Sequence, residues 1–540
     1  MANLRVSVVV PTLRRADTLA SCLKTLAAQD YENCEFIVQN NGDDRATRSV
    51  VEAMNDSRFR HHATADVLPM SRNWEMALDH VTGDVVAFVG DDDGLYPDAC
   101  SIAAMLFSDN ANDLVSWRPH WYFWPSYPKP SRANTILAEL DLTFAVEEVD
   151  SRRELRGVYR FLTPYANLPM VYNSFVRMSV IRAARERLGP YFMGWSPDVT
   201  SGLINAFMTE RFLRLSRPLS VTGTSAHSTG YAVSVPRSGD RTREIEQRDF
   251  GALAPRAPEL PDTNLLPVLI AKDLLAVKKV LPSESAGIDI DYRGLMQLIA
   301  SAINEYPGAY PEVLDIIARI GGAHGVAMDE IAIPAESRAD EVRQSRFSYR
   351  GDTRAGLALD GDRLGTSDIA GAVRLLAEIS PRRADLDIRV RRNRIPTLDV
   401  GQPIVLRKGS NQAAALLDGW GEAESEGTWS VGRQCALRFK VPSRAGYELR
   451  LACSALLTEV HRHIDVAWRS GRSGGVWTFD YDRPPPRTDM IIGADAIDDD
   501  GHVTVSFEIA KPVAPIFLGL SPDMRTLGIF VSSLRMAADD

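Results

Sequence analysis

The 540-residue chain lacks the features that mark a membrane span, a disulfide scaffold or a nucleic-acid binder. Its apolar runs are brief. Residues 6–10 stop at Pro11, far short of the roughly 20 apolar residues that a membrane helix needs. The same run is too short for a secretory core, so no leader peptide is expected. Cysteine is scarce. Cys22, Cys34, Cys100, Cys435 and Cys453 are odd in number and show no CxxC spacing. Buried free thiols in a reducing, cytoplasmic setting are therefore expected, not a disulfide framework or a zinc site. Positive charge is not in excess, with 61 Lys and Arg against 71 Asp and Glu and a formal net charge of -10. The basic residues are scattered, which argues against a nucleic-acid partner but leaves room for a phosphorylated ligand in a local pocket. Glycine is missing where a phosphate loop would need it: Pro11-Thr12-Leu13-Arg14-Arg15 supplies arginines without glycines, so a nucleotidyltransferase ranks low.

What is present is an ordinary globular balance, 45% hydrophobic and 24% charged, in a chain too long for one core. The first hundred residues alternate strand and helix signals. Residues 5–10 form a β-branched run of the kind buried in a parallel sheet. Asp17 is placed to cap a helix whose apolar face carries Leu19, Cys22, Leu23 and Leu26. Residues 34–39 predict a second strand ending in Asn40-Asn41-Gly42-Asp43. Helices are expected near residues 49–54 and from Ser71, with a short strand at 59–62 between them. Residues 85–89 form another apolar strand, which stops at Gly90-Asp91-Asp92-Asp93-Gly94. This alternation predicts an α/β domain with a mostly parallel, doubly wound sheet. In such sheets ligands collect outside the carboxyl ends of the strands, where Pro11-Thr12, the Asn40 turn and the Asp cluster all lie.

Three consecutive carboxylates after a buried strand repel one another unless a cation or donors sit among them. Mg²⁺ or Mn²⁺ suits such oxygen ligands and takes few protein carboxylates plus substrate phosphates. Taken alone, the cluster reads equally well as a solvated acidic turn. Its context is more specific. Residues 6–12, 34–44 and 70–99 together resemble the family 2 glycosyltransferases of the GT-A fold. The resemblance runs through Pro11-Thr12, through Phe36-Ile37-Val38-Gln39-Asn40-Asn41-Gly42, and through Met70-Ser71-Arg72-Asn73-Trp74 to Gly83-Asp84-Val85-Val86-Ala87-Phe88-Val89-Gly90-Asp91-Asp92-Asp93, with Pro97 beyond.

The resemblance implies a metal-dependent inverting transfer of a sugar from a nucleotide-diphosphate donor to a saccharide or glycolipid acceptor, as in bacterial surface polysaccharide synthesis. It places Pro11, Thr12, Asn40, Arg72 and Asp91 around the nucleotide, with Arg72 facing the diphosphate and Asp91 near the ribose. Asp92 or Asp93 becomes the ligand of Mn²⁺ or Mg²⁺, and His227 completes the metal or diphosphate site. Asp198, in Trp195-Ser196-Pro197-Asp198-Val199, becomes the base for the acceptor hydroxyl, because the attacking oxygen must lose a proton. The pattern departs from the family at Asn40, where Asp usually reads the base, and at Gly90, which stands where a first Asp is usual. Bland readings stand beside these: Asp198 as a helix cap, His227 as structural, Arg72 as a solvated charge. The other function class is a nucleotide-sugar or glycan-binding protein without turnover.

Three domains are expected: 1–234 catalytic, 235–396 linker and helical section, and 397–540 an antiparallel β-sandwich with strands at regular spacing. The aromatics of residues 117–127 suit either a sugar-stacking wall or core. In the sandwich, Trp420 and Trp429 suit core, whereas Trp477 and Tyr481 adjoin Gly and Pro loops that suit a glycan. Attachment to the inner face of a membrane and assembly into a homo-oligomer are left open.

Overall fold

A computed structural model describes residues 4–108, 112–141, 145–194, 196–226, 228, 257–263, 265–306, 308–336, 346–350, 354–380, 390–391, 395–407, 410, 413–421, 423–518, 520–521, 523 and 525–536. His227 and Trp195 lie outside them. The chain divides into two compact units: Met1–Leu155, Thr163–Met328 and Ala335–Val390 in the first, and Arg156–Leu162, Asp329–Pro334 and Arg391–Asp540 in the second.

The first unit opens with the alternation read from the sequence. Strand β1 (Val6–Thr12), helix α1 (Ala16–Ala27), β2 (Cys34–Asn40), α2 (Arg45–Ala53), β3 (Phe59–Ala63), α3 (Met70–Leu78) and β4 (Val85–Phe88) follow in order. Every residue of β1, β2 and β4 is buried, as expected for central parallel strands covered on both faces. Helix α1 starts two residues earlier than an Asp17 cap would set it. Arg15 holds the cap position without a side-chain bond, and Asp17 lies in the first turn, where a carboxylate still suits the helix dipole. After β5 (Gly94–Leu95) and α4 (Ala99–Leu106) come β6 (Leu114–Trp117), β7 (His120–Phe123), β8 (Thr135–Asp141), β9 (Val146–Asp150), α5 (Ser151–Tyr159), β10 (Ser174–Arg177), α6 (Met178–Leu188), α7 (Pro197–Met208), β11 (Arg211–Leu215) and β12 (Ser220–Thr224).

The main sheet runs β9-β11-β6-β10-β4-β1-β2-β3, extended beyond β9 by a strand at Val390–Arg391. β1 pairs in parallel with both β2 and β4, and β2 with β3. β10 is antiparallel to β4 and β6, and β9 to β11. The register sets Thr12 opposite Asn40 and Val9 opposite Phe88, so the carboxyl ends of β1, β2 and β4 share one edge.

Helices α8 (Leu266–Val280), α9 (Tyr292–Ser301) and α10 (Tyr310–His324) make the helical section. Beyond them the chain returns as β13 (Arg346–Arg350), β14 (Arg354–Asp360) and α11 (Ile369–Ile379). These complete a second sheet of order β13-β14-β8-β7-β12-β5. Ile369, Ala372, Val373 and Leu376 of α11 share a core with Tyr96, Tyr122, Trp124 and Val221. Asn134 ties the return: its amide donates to Asp362 Oδ1 at 2.7 Å and Thr366 O at 2.8 Å. The aromatic run is therefore mostly core, with Trp117, Tyr122, Phe123 and Trp124 buried and Trp121 45% exposed.

The second unit holds two antiparallel sheets: β16 (Ile404–Val405), β24 (Leu527–Met536), β19 (Tyr447–Ala455) and β22 (Asp489–Ile492), with β17 (Thr428–Val431) on β24, and then β18 (Gln434–Lys440), β23 (His502–Ile509), β20 (His463–Ser470) and β21 (Ser473–Asp480). Burial alternates along β23 and β18, and one core joins both sheets, the pattern of a sandwich. Trp420, Trp468, Trp477 and Phe479 lie in that core. The glycan-facing expectation for Trp477 therefore gives way to packing, while Tyr481 is 45% exposed. Among the described residues, no helix is long and apolar enough to cross a membrane.

Candidate active site

At the carboxyl edge of β1 and β4, the three aspartates are held by different neighbours. Asp91 is buried. Its Oδ2 accepts from Thr12 Oγ1 at 2.7 Å and its Oδ1 from Arg15 at 3.1 Å. Burial pushes the Asp91 carboxyl up, Arg15 pulls it down, and Asp92 pushes it up again. Burial also works against the Arg15 charge, but Asp91 and Asp92 outweigh it and hold the guanidinium firmly protonated. Arg15 is thus the cation of the cluster. The sequence displayed it, but its distance from the aspartates in the chain hid the pairing. Arg72, by contrast, is exposed on α3.

Asp92 is buried as well. Its Oδ2 accepts from Ser225 Oγ at 3.0 Å and Ser228 Oγ at 2.5 Å, and its carbonyl accepts from the Trp124 indole at 3.0 Å. Asp93 accepts two backbone N–H groups, Gly223 on Oδ1 at 2.7 Å and Gly90 on Oδ2 at 3.0 Å. Burial and the neighbouring Asp92 push its carboxyl well above the ordinary range. Asp93 therefore ties the end of β4 to β12. Gly223 is needed there, since a Cβ would lie 1.8 Å from the Asp92 carbonyl oxygen. Asp92 Oδ1 is the carboxylate oxygen of the cluster that takes no hydrogen bond from a described residue. The crowding of carboxylates and this oxygen suit a hard divalent cation that draws its other ligands from phosphates and water.

Asn40 is fully buried in its own turn. Its amide donates to Asp44 O at 2.9 Å, lies 3.3 Å from His61 Nε2, and accepts from Asp44 N at 3.2 Å. Pro11 lies beside it in the register, opposite Gln39.

Asp198 is not a side-chain cap but the second residue of α7, after Pro197. Its carboxyl is pushed up by burial, against the pull of the Val199 N–H. Ser201 Oγ donates to Asp198 O at 2.5 Å and accepts from Val171 N at 3.2 Å. That bond pins residues 171–172 beside the start of α7. Tyr172, packed edge-on against Trp74 with ring centroids 4.9 Å apart, feels both acidic groups. Burial raises its phenol most, then Asp93, Asp198, Asp91 and Asp92. Tyr172 thus lies within electrostatic range of both Asp198 and the aspartate cluster. No sequence pattern singled out Tyr172, since a lone Tyr before a strand has no signature.

In the second unit, Asp498, Asp500 and His502 bring ligand-type atoms within 4.8 Å of one another. Asp498 Oδ1 already accepts from the backbone of Asp500 and His502, which makes this group a turn.

Residues 7–175 match the family model described as Glycosyl transferase family 2, which spans the Thr12, Arg15 and Asp91–Asp93 positions but neither Asp198 nor Ser225. The GalNAc(5)-diNAcBac-PP-undecaprenol beta-1,3-glucosyltransferase of Campylobacter jejuni is 31% identical over 100 residues, 18% of this chain and 32% of that protein. An uncharacterized glycosyltransferase of Escherichia coli, YibD, is 25% identical over 134 residues, 23% of this chain and 38% of its own. The chain thus spans about a third of the length of these curated relatives. Among solved structures, S. aureus TarS 1-349 in complex with UDP-GlcNAc covers 59% of this chain and 89% of its own, at 15% identity and a TM-score of 0.33. Over residues 7–175 the chain is thus similar to the family 2 glycosyl transferases.

Proposed function

We propose that the first unit transfers a sugar from a nucleotide-diphosphate donor to a saccharide or glycolipid acceptor, with inversion at the anomeric carbon. The observation that carries this reading is that Tyr172 feels both an acidic cluster at a parallel sheet's carboxyl edge and a second, half-buried carboxylate on a helix N-terminus. The family match over residues 7–175 supports the same chemistry. The name of the Campylobacter relative, which carries an undecaprenol-linked saccharide, favours a glycolipid acceptor made for the cell surface.

In this reading Asp198 is the base. The acceptor hydroxyl oxygen forms the new bond to the anomeric carbon as its proton passes to the Asp198 carboxylate, and the bond to the diphosphate breaks with its electron pair leaving on the nucleotide. Asp92 would hold Mn²⁺ or Mg²⁺, which when bound would supply positive charge for the leaving diphosphate. Arg15 and Thr12 hold Asp91 in place beneath the nucleotide, and Asp93 fixes the strand end. Asn40 acts through the shape of its turn, and Arg72 is the outer cation for the diphosphate.

The test is a thermal-shift screen of nucleotide-sugars with and without Mn²⁺. One donor should raise the melting temperature only with the metal, and Asp198→Asn should keep that shift while turnover drops roughly a hundredfold. No shift with any donor, or full turnover in Asp198→Asn, would overturn the proposal.

A further inference from the structure

The cation ligand proposed above is oriented by a turn that lies beyond the matched family region. β12 ends at Thr224, and the following turn sets two serine hydroxyls on one oxygen of Asp92, Ser225 at 3.0 Å and Ser228 at 2.5 Å. A hydroxyl has one proton to give. The turn itself needs only Ser228 as an acceptor, and Ser225 N donates to Ser228 Oγ at 2.7 Å. The turn therefore closes through that bond from a backbone N–H to the Ser228 hydroxyl oxygen, and the two hydroxyl protons remain for Asp92. The Ser225–Ser228 oxygen contact of 3.2 Å is a consequence of both meeting the same carboxylate. Bonds from hydroxyls to a carboxylate are charge-assisted and short, and a doubly held Oδ2 fixes the plane of the group.

We infer that Ser225 and Ser228 are positioning residues for the metal carboxylate. By occupying Oδ2 they commit Oδ1 to the cation and hold Asp92 to single-oxygen binding. This rests on the reading of Asp92 as cation ligand. Hydrogen bonds of this outer kind typically tune metal affinity by about 10- to 100-fold. Gly223 N on Asp93 and the Trp124 indole on the Asp92 carbonyl hold the strand end, and Ser225→Ala leaves the turn-closing bond from Ser225 N to Ser228 Oγ intact, so its effect should fall on the side chain.

The test measures Mn²⁺ binding to the full chain without nucleotide, by titration of free Mn²⁺ in electron paramagnetic resonance. Ser225→Ala and Ser228→Ala should each weaken Mn²⁺ binding roughly tenfold. Ser228→Thr, which keeps the hydroxyl, should stay near the parent, and Ser228→Val, its isostere without one, should match Ser228→Ala. The Thr and Val pair decides the matter if an alanine variant fails to fold. Unchanged Mn²⁺ affinity in the hydroxyl-free variants, while Asp92→Ala abolishes binding, overturns this inference alone. Undiminished Mn²⁺ binding in Asp92→Ala overturns both it and the cation reading of the site.

Discussion

At Asp198 the proposed role of base sets a demand of chemistry against stability. Burial raises its carboxyl above the ordinary aspartate range near 3.9. A raised folded-state value means the fold favours the protonated form, so ionisation costs stability as pH climbs through that value. A base works only when ionised. The acid limb of turnover should therefore lie at a higher pH than a free aspartate would give, measured as kcat against pH with saturating donor. Asp198→Asn, which has no charge to desolvate, should unfold at the same or a higher temperature at neutral pH. A limb at the ordinary aspartate value, together with a clearly lowered melting temperature in the Asn variant, would return the residue to a structural part. The sequence showed Asp198 and its helix; it could not show the desolvation of the carboxyl or its nearness to Tyr165 and Tyr172, which are distant in the chain.

Among the elements, α8 ties the helical section to the start of α7, where the proposed base lies. Its Asp273 is fully buried, and Oδ2 accepts from Ser196 N at 3.2 Å, at the start of α7. A carboxylate there satisfies one of the unpaired N–H groups of the helix and favours its dipole. Gly194 lies against the same group, with a Cβ position 2.6 Å from Asp273 Oδ1. Asp273→Ala should cost roughly 2 kcal/mol in denaturant unfolding and lower kcat through a displaced Asp198, with nucleotide affinity kept. Equal loss of affinity and turnover would mean general unfolding instead. The strands and helices of the first hundred residues were legible because each is buried or amphipathic with a clean period. The helix positions were read within a few residues. The cap on α1 was not, since Arg15 is drawn to Asp91 across the sheet edge and Asp17 is left inside the first turn.

For the whole molecule, the return of β14 and α11 to the second sheet matters most. Four apolar residues of α11 lie in a core with Tyr96, Tyr122 and Trp124, and Trp124 holds the Asp92 carbonyl. Burying side chains of that size stabilises by ~1.5–3 kcal/mol each, which is comparable with a domain's entire net stability. A chain truncated after residue 234 should therefore be poorly folded, by circular dichroism and limited proteolysis, and bind no nucleotide-sugar. One truncated after residue 396 should fold and bind it, with acceptor use or oligomeric state changed by loss of the second unit. Donor binding by the shorter chain would show that α11 is dispensable.

The sequence by itself determined the alternating sheet, the edge at which Thr12, Asn40 and Asp91–Asp93 gather, and the strand-rich C-terminal part, since these follow from local periodicity and from residues adjacent in the chain. Tertiary structure alone decided which carboxylates are spoken for. Thr12 and Arg15 take Asp91, Gly90 and Gly223 take Asp93, and Ser225 and Ser228 take one oxygen of Asp92. Tertiary structure also decided that Trp477 is core and that residues 354–379 close the second sheet. Some of these contacts join residues more than two hundred positions apart, as the Asn134–Thr366 bond does. A hydrogen bond depends on where two groups meet in space, and at that separation no pattern of neighbours along the chain encodes the meeting.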